Sequence, residues 1–342
     1  MAKKSQTKIN SGEFSERFSK DKHKYDTLGT NLVQALKLFL NENDLKVLSV
    51  DFRTKDKDSF VEKIERKSYE NPFDDIEDIC GIRIICYYQS DVNKIADIIS
   101  NEFEVIENQD KEQLLEADQF GYRSTHFIVK IKKEWLQAPN YRNLENLKAE
   151  IQIRTVLMHA WAEIEHKLAY KKESDIPKQF RNKFSQLAAI LKNTDEQFEE
   201  LKNKITDYKE DVIEIAKNEP NEISKIELNL DSLQAFLDDK FPNRNKVIGY
   251  TGALIDEFLT FNISMNEFIS CYEKIESYLL EIEEDFVKTF GFYNLTQTRT
   301  ARLIMGISNT EYFNQLPDGM FKALIQEWRG IIQKDEDNKK TK

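Results

Sequence analysis

The residues most able to do chemistry fall in a handful of short clusters between positions 53 and 166. Arg53-Thr-Lys55 ends an apolar, β-branched run, and Lys63, Arg66 and Lys67 follow at helical i, i+3, i+4 spacing. Guanidinium groups grip phosphate oxygens in pairs and ammonium groups act on them as point charges, so these side chains could hold a polyphosphate. A solvated basic helix face neutralised by Asp56, Asp58, Glu62 and Glu65 would read the same way. Asp78-Ile-Cys-Gly-Ile-Arg83 sets a carboxylate just ahead of a buried strand and a guanidinium on that strand. In Ala149-Glu-Ile-Gln-Ile-Arg-Thr155 the period of two puts Glu150, Gln152 and Arg154 on one face. Two carboxylates from different strands, Asp78 and Glu150, are a usual way to hold a Mg²⁺ that also grips substrate phosphates. An open sheet with one wet face would show the same alternation.

Two further clusters carry polar and aromatic groups together. In Phe120-Gly-Tyr-Arg-Ser-Thr-His126, the residues Tyr122, Ser124 and His126 share a strand face, a possible platform for stacking a base, or simply a half-buried tyrosine. In the helix His159–Tyr170, Leu157, Trp161, Ile164 and Leu168 form the expected core stripe, with Glu165 beside it. His159 and His166 lie on a similar face, but H-E-x-x-H is absent and zinc is not expected. No G-x-x-x-x-G-K-[ST] or G-x-G-x-x-G loop occurs, and the chain has only 10 glycines. Any nucleotide must therefore be held by side chains rather than by bare backbone.

The elements that position these groups read as α+β. A long helix over residues 13–42, with Phe14, Phe18, Leu32, Leu36 and Phe39 apolar, leads into a strand at Val47–Phe52 and a basic helix from Asp56 to Ser68. Asn71-Pro72 breaks that helix. Strands follow at 81–88, 103–107, 124–131 and 148–154, the last two adjacent, with helices at 90–101, 155–171 and 177–207. The expected architecture is a mixed sheet of about five strands flanked by helices. It occupies residues 1–207. A helical region follows over 220–342, with helices expected at 230–241, 262–290 and 317–333 and a frayed tail from Lys334.

Composition narrows the function classes. At 342 residues, two domains are expected. A net charge of −11 argues against a general nucleic-acid coat, while the mildly basic first 70 residues suit a phosphate-rich ligand in one cleft. No apolar run reaches the roughly 18 residues that cross a bilayer. No apolar stretch follows the basic N-terminus, so a cytoplasmic protein without membrane contact is expected. Cys80, Cys86 and Cys271 form no C-x-x-C pair and suit a reducing compartment.

Taken in order, R-x-K at 53–55, D-I-x-G-I-R at 78–83, G-Y-R-S at 121–124, E-I-Q-I-R-T at 150–155 and W-A-E-I-E-H at 161–166 strongly resemble the synthetase domain of RelA/SpoT-type enzymes. The resemblance spans about residues 45–207. It implies a nucleotidyltransferase-like sheet, ATP as pyrophosphate donor, GDP or GTP as acceptor, and a Mg²⁺ ion. It implies that Arg53, Lys55, Lys63 and Arg83 bind ATP and that Asp78 and Glu150 hold the metal, with Glu150 also drawing the proton from the attacking 3′-hydroxyl. Tyr122 would stack the acceptor base, with His126 and Glu165 as polar contacts. The family's hydrolase half uses a His-Asp pair, and no His-Asp dipeptide occurs, so a synthetase without hydrolase activity is expected.

One departure bears on the acceptor. Where the family resemblance calls for a lysine four residues before the tyrosine, the sequence has Asp118. Exchanging attraction for repulsion at about 4 Å and an effective dielectric of about 20 is worth several kcal/mol before screening. Transfer to the 3′ end of tRNA or to an adenine nucleotide is therefore the alternative, and a nucleotide-binding sensor without catalysis is a third reading. The helical region from 220 to 342 would serve as a lid, an oligomerisation surface or a regulatory module.

Overall fold

The computed structural model describes residues 11–110, Tyr122, 124–168, 177–219, 222–291 and 295–340. The stretch containing Asp118 lies outside these. The chain divides into two compact units, Met1–Lys202 and Asn203–Lys342.

The first unit is built on five strands: β1 (Val47–Thr54), β2 (Cys80–Cys86), β3 (Glu104–Asp110), β4 (Thr125–Lys130) and β5 (Ala149–Thr155). Their order is β1-β2-β5-β4-β3. The β2–β5 pair is parallel and every other pair antiparallel, so the sheet is mixed. Helix α1 (Ser11–Glu42) covers one face, burying Phe18, Tyr25, Leu28, Leu32, Leu36 and Leu40 against Val50, Ile82, Ile84, Phe127, Ile151 and Ile153. That spacing is the single apolar stripe of an amphipathic helix, and the strand residues are the inward half of each alternation. Helices α2 (Lys57–Lys67), α3 (Pro72–Asp75) and α4 (Gln89–Glu102) complete the layer. Asp56 caps α2 by accepting from the Ser59 amide at 2.8 Å, and Asn71-Pro72 starts α3 rather than continuing the chain as coil.

Gly29 sits where α1 crosses β1, and a Cβ there would lie 2.1 Å from Cδ2 of Phe52. Alanine relieves the helix-propensity cost of glycine, worth about 1 kcal/mol, but overpacking against the base of a ring costs more. Gly29→Ala is expected to lose about 1–3 kcal/mol of stability, read as a lowered urea midpoint at unchanged slope.

Helix α5 (Val156–Leu168) follows β5 and contacts β5 and β2, and the first part of α6 (Lys178–Asn218) packs against α5 through Ala188. Of the expected α5 stripe, Trp161 is buried and Leu157 packs beside it, whereas Ile164 and Leu168 are exposed. Met158 replaces them: it points inward with Trp161, so the buried stripe covers only the first half of the helix. Helix α6 runs 11 residues past the expected end at 207, because Val212 and Ala216 anchor its last turns in the second unit's core.

Among its described residues that second unit is helical: after the end of α6 come α7 (Leu230–Lys240), α8 (Ile248–Thr260), α9 (Met265–Ile275), α10 (Leu279–Phe290), α11 (Gln297–Ser308), α12 (Thr310–Gln315) and α13 (Met320–Lys340). The stretch expected as one helix over 262–290 is two, divided at Glu276–Tyr278, and it begins at the Ser264 cap. Helices α8, α11 and α12 were not expected. Phe258, Phe268, Tyr272 and Leu279 are buried within this unit's own core. The tail expected to fray from Lys334 is helical to Lys340. Among the described residues no helix is long and apolar enough to cross a membrane. The three cysteines are buried free thiols, and burial raises Cys80 and Cys86 to about 12.

Candidate active site

Because β2 and β5 are parallel, their first residues lie at the same end of the sheet. Gly81 registers with Glu150 and Arg83 with Gln152. On one side Arg53 of β1 lies opposite Gly81, and on the other His126 of β4 lies opposite Gln152. Paired residues share a face, so Arg53, Arg83, His126, Glu150, Gln152 and Arg154 project from the same side, away from α1. The alternation of β5, buried at Ala149, Ile151, Ile153 and Thr155 and half-buried between, is the one read from the sequence.

Asp78 stands just before β2. The Lys55 amide donates to the Ile79 carbonyl at 2.9 Å, which draws the ends of β1 and β2 together. The Lys55 and Lys63 ammonium groups then meet the two Asp78 oxygens, each at 2.9 Å. Burial pushes the Asp78 carboxyl up, but the hydrogen bonds and charges of both lysines outweigh it and hold the group below its ordinary value. Asp78 is thus a fixed anion flanked by two cations.

Glu150 is held on both oxygens. His126 Nδ1 lies 2.6 Å from Oε1, and the Gln152 amide donates to Oε2 at 3.1 Å. Ser124 Oγ is 2.6 Å from His126 Nε2. A neutral imidazole with its proton on Nδ1 satisfies both contacts, donating to Glu150 and accepting from Ser124. Arg154 in turn donates to Gln152 Oε1 at 2.9 Å. The result is a polar row, Ser124–His126–Glu150–Gln152–Arg154, fixing the orientation of one carboxylate.

Several participants were not singled out from sequence. Glu163 on α5 accepts from Arg83 at 3.1 Å, so the second acid of W-A-E-I-E-H, Glu165, lies exposed while the first reaches the sheet. The i, i+4 pair His159/Glu163 was the available signal. His159 Nδ1 and Arg154 Nε are buried without a hydrogen-bond partner among the described residues. Burial and the charge of Arg83 lower the pKa of both. The Arg154 Nε–H is an unmet buried donor, and such a donor marks a place that a ligand oxygen would satisfy. Glu77 borders the Glu150 side, where burial and then the charge of Glu107 raise its carboxyl. Arg53 is exposed.

Tyr122 is placed differently from the expectation. Its ring is buried with Met158, Trp161 and Ala188, and its hydroxyl donates to Asp195. Among the described residues no group of three or more His, Cys, Asp or Glu side chains is placed to hold a metal ion.

The sequence matches the RelA_SpoT family, the region found in RelA and SpoT proteins, over residues 52–175. The GTP pyrophosphokinase YwaC of Bacillus subtilis (strain 168) is 32% identical over 157 residues, which is 45% of this chain and 72% of the relative. The chain belongs to the RelA/SpoT family. A second relative, the GTP pyrophosphokinase YjbM of the same organism, is 29% identical over 156 residues, 45% of this chain and 71% of its own. A solved structure, the small alarmone synthetase 2 from Bacillus subtilis, is 29% identical, covering 55% of this chain and 98% of that one with a TM-score of 0.46. The RelA/SpoT match contains Arg53, Lys55, Lys63, Asp78, Arg83, Tyr122, His126, Glu150 and Glu165, and stops before the second unit begins.

Proposed function

We propose that this chain transfers the β,γ-pyrophosphate of ATP to the ribose 3′-hydroxyl of GDP or GTP. The observation that carries the reading is a pair of carboxylates in opposite settings, one just ahead of β2 and one at the start of its parallel neighbour β5. Asp78 is clamped by two lysines, and Glu150 is oriented by His126 and Gln152.

In this reading Arg53, Lys55, Lys63 and Arg83 bind the ATP phosphates, which takes Arg83 from Glu163 and shares the lysines with Asp78. Glu150, locked in orientation by its two hydrogen bonds, accepts the proton of the 3′-hydroxyl as that oxygen attacks the β-phosphorus in line and the bond to the AMP oxygen breaks. The basic side chains stabilise charge on the departing AMP, and positioning supplies much of the rate. Asp78 and Glu150 offer hard carboxylate oxygens, the donor set that suits Mg²⁺ when substrate phosphates and water complete the shell. When bound, the ion would neutralise the phosphates. Two protein ligands are fewer than a closed metal site needs, in keeping with an ion that arrives with its nucleotide.

The deciding experiment is incubation with Mg²⁺ and β/γ-labelled ATP, offering GDP, GTP, ADP and deacylated tRNA separately. Label on a guanine nucleotide supports the reading. Asp118 favours the alternative in which tRNA or ADP takes the label, and labelling of those alone would replace the acceptor while keeping the chemistry. ATP binding without transfer to any of them would favour a sensor.

The Arg83–Glu163 pair is half-exposed, so its loss should change stability by no more than about 1 kcal/mol. It nevertheless competes with phosphate for the guanidinium. Glu163→Gln is expected to lower KM for ATP by about threefold to tenfold, a differential interaction of about 1 kcal/mol, with kcat unchanged. Steady-state kinetics at saturating acceptor checks it.

A further inference from the structure

Helix α6 presents Ala188, Leu191 and Asp195 on one stripe toward α5 and Tyr122. The first two are apolar and pack with Trp161 and Met158. The third is a carboxylate only 2% exposed, an expensive placement unless it is well bonded. Thr155 Oγ1 donates to its Oδ2 at 2.6 Å, and the Tyr122 hydroxyl donates to the same oxygen. Tyr122 also lies 3.3 Å from Thr155 Oγ1, which accepts from the Met158 amide at 3.1 Å at the start of α5. The three groups form a closed knot that ties Tyr122 to the end of β5, the start of α5 and α6.

The consequence is for the ring. Tyr122 is 3% exposed, so neither of its faces is open to a base. A stacking platform needs one bare face. Moving the ring out requires breaking its bond to Asp195, and bonds to a buried carboxylate are about twice as strong as neutral ones.

We propose that Asp195 is a latch that holds Tyr122 folded between α5 and α6, so that acceptor binds only the fraction of molecules in which this bond is broken. The inference rests on the reading of Tyr122 as the ring that stacks the acceptor base. Asp195 touches no substrate in it and acts as a positioning residue through Tyr122. Apparent affinity for a site that is open part of the time is reduced by the open fraction, so the latch sets the acceptor KM and leaves ATP untouched.

Two substitutions weaken the same bond from opposite ends. Tyr122→Phe keeps the ring and removes the donor, while Asp195→Asn keeps the shape and removes the charge. Each is expected to lower KM for the acceptor by about tenfold, and Asp195→Asn, which alters no group that meets a substrate, is expected to keep KM for ATP and kcat within about twofold of the parent. Because both act on one bond, the double variant should go no further than the stronger single. Circular dichroism and a thermal melt establish that each variant is folded. Two folded variants with unchanged or raised acceptor KM would overturn the latch, as would additive effects in the double variant. The underlying reading fails separately, and takes the latch with it, when the parent protein labels none of the guanine nucleotides, ADP or tRNA. If the parent labels tRNA or ADP alone, the same KM comparison is read on that acceptor.

Discussion

Glu150→Gln is expected to reduce kcat for pyrophosphate transfer by about a thousandfold while ATP still binds, because general-base catalysis contributes about 10²–10⁴ in rate. Glutamine has nearly the shape of glutamate and still accepts from His126 Nδ1 through its carbonyl oxygen. Its amide would then face the Gln152 amide that now donates to Glu150 at 3.1 Å. Gln152 can answer by turning its own amide over, at the expense of the 2.9 Å bond it accepts from Arg154. One neutral hydrogen bond is worth about 1 kcal/mol, so the fold should survive the change. The kinetic loss would therefore reflect the missing base, and its signature is a fall in kcat with little movement of KM for ATP. Retention of more than about a tenth of the rate would move the base elsewhere. Glu77, whose carboxyl is raised by burial and by Glu107, would be the next group to replace.

The legible part of this molecule is the part governed by local periodicity. The alternation of Glu150, Gln152 and Arg154 with Ala149, Ile151 and Ile153 needs only one buried face, and β5 has one. The α+β architecture followed from strands too short and β-branched to be helices, interleaved with amphipathic segments. The pairing of Asp78 with Lys55 and Lys63 was half visible. The residue types were apparent, but that one lysine just past β1 and another on α2 would converge on one acid depends on where α2 packs.

What could not be read depends on contacts distant in sequence. The burial of Tyr122 is decided by Ala188 and Asp195, more than 60 residues later on a helix whose rotation no local pattern fixes. The outward turn of Ile164 and Leu168 has the same character, since the stripe was correct in period and ends where α5 leaves the sheet. In the second unit, α11, which was not expected, opens with the polar residues Gln297, Thr298 and Thr300. They are buried because Gln297 donates to the Leu237 and Phe241 carbonyls and to Asp238. A buried polar network that caps another helix is invisible until both helices are in place.

Asp78→Asn should separate two roles that the clamp combines. The carboxylate neutralises Lys55 and Lys63 in the nucleotide-free protein and offers oxygen to a metal in the loaded one. Removing the charge leaves two ammonium groups whose attraction for phosphate is no longer shared. Even at an effective dielectric near 20, each is worth up to about 4 kcal/mol at 4 Å before solvent screens it. In metal-free buffer, ATP binding is therefore expected to tighten by about threefold to tenfold, measured by calorimetry. In Mg²⁺, transfer should fall by about a thousandfold or more, as expected when a metal carboxylate is lost. The stability change has a defined sign. The folded-state pKa of Asp78 lies below its ordinary value of 3.8, so its contribution is complete above that pH and disappears as pH falls through the folded value. The variant should accordingly melt lower than the parent at neutral pH, with the difference closing in strong acid. Tightened metal-free binding together with lost transfer would assign Asp78 to the metal. Loss of ATP binding in both buffers would instead make it the anchor that positions the lysines, leaving Glu150 to face the ion with the substrate phosphates alone.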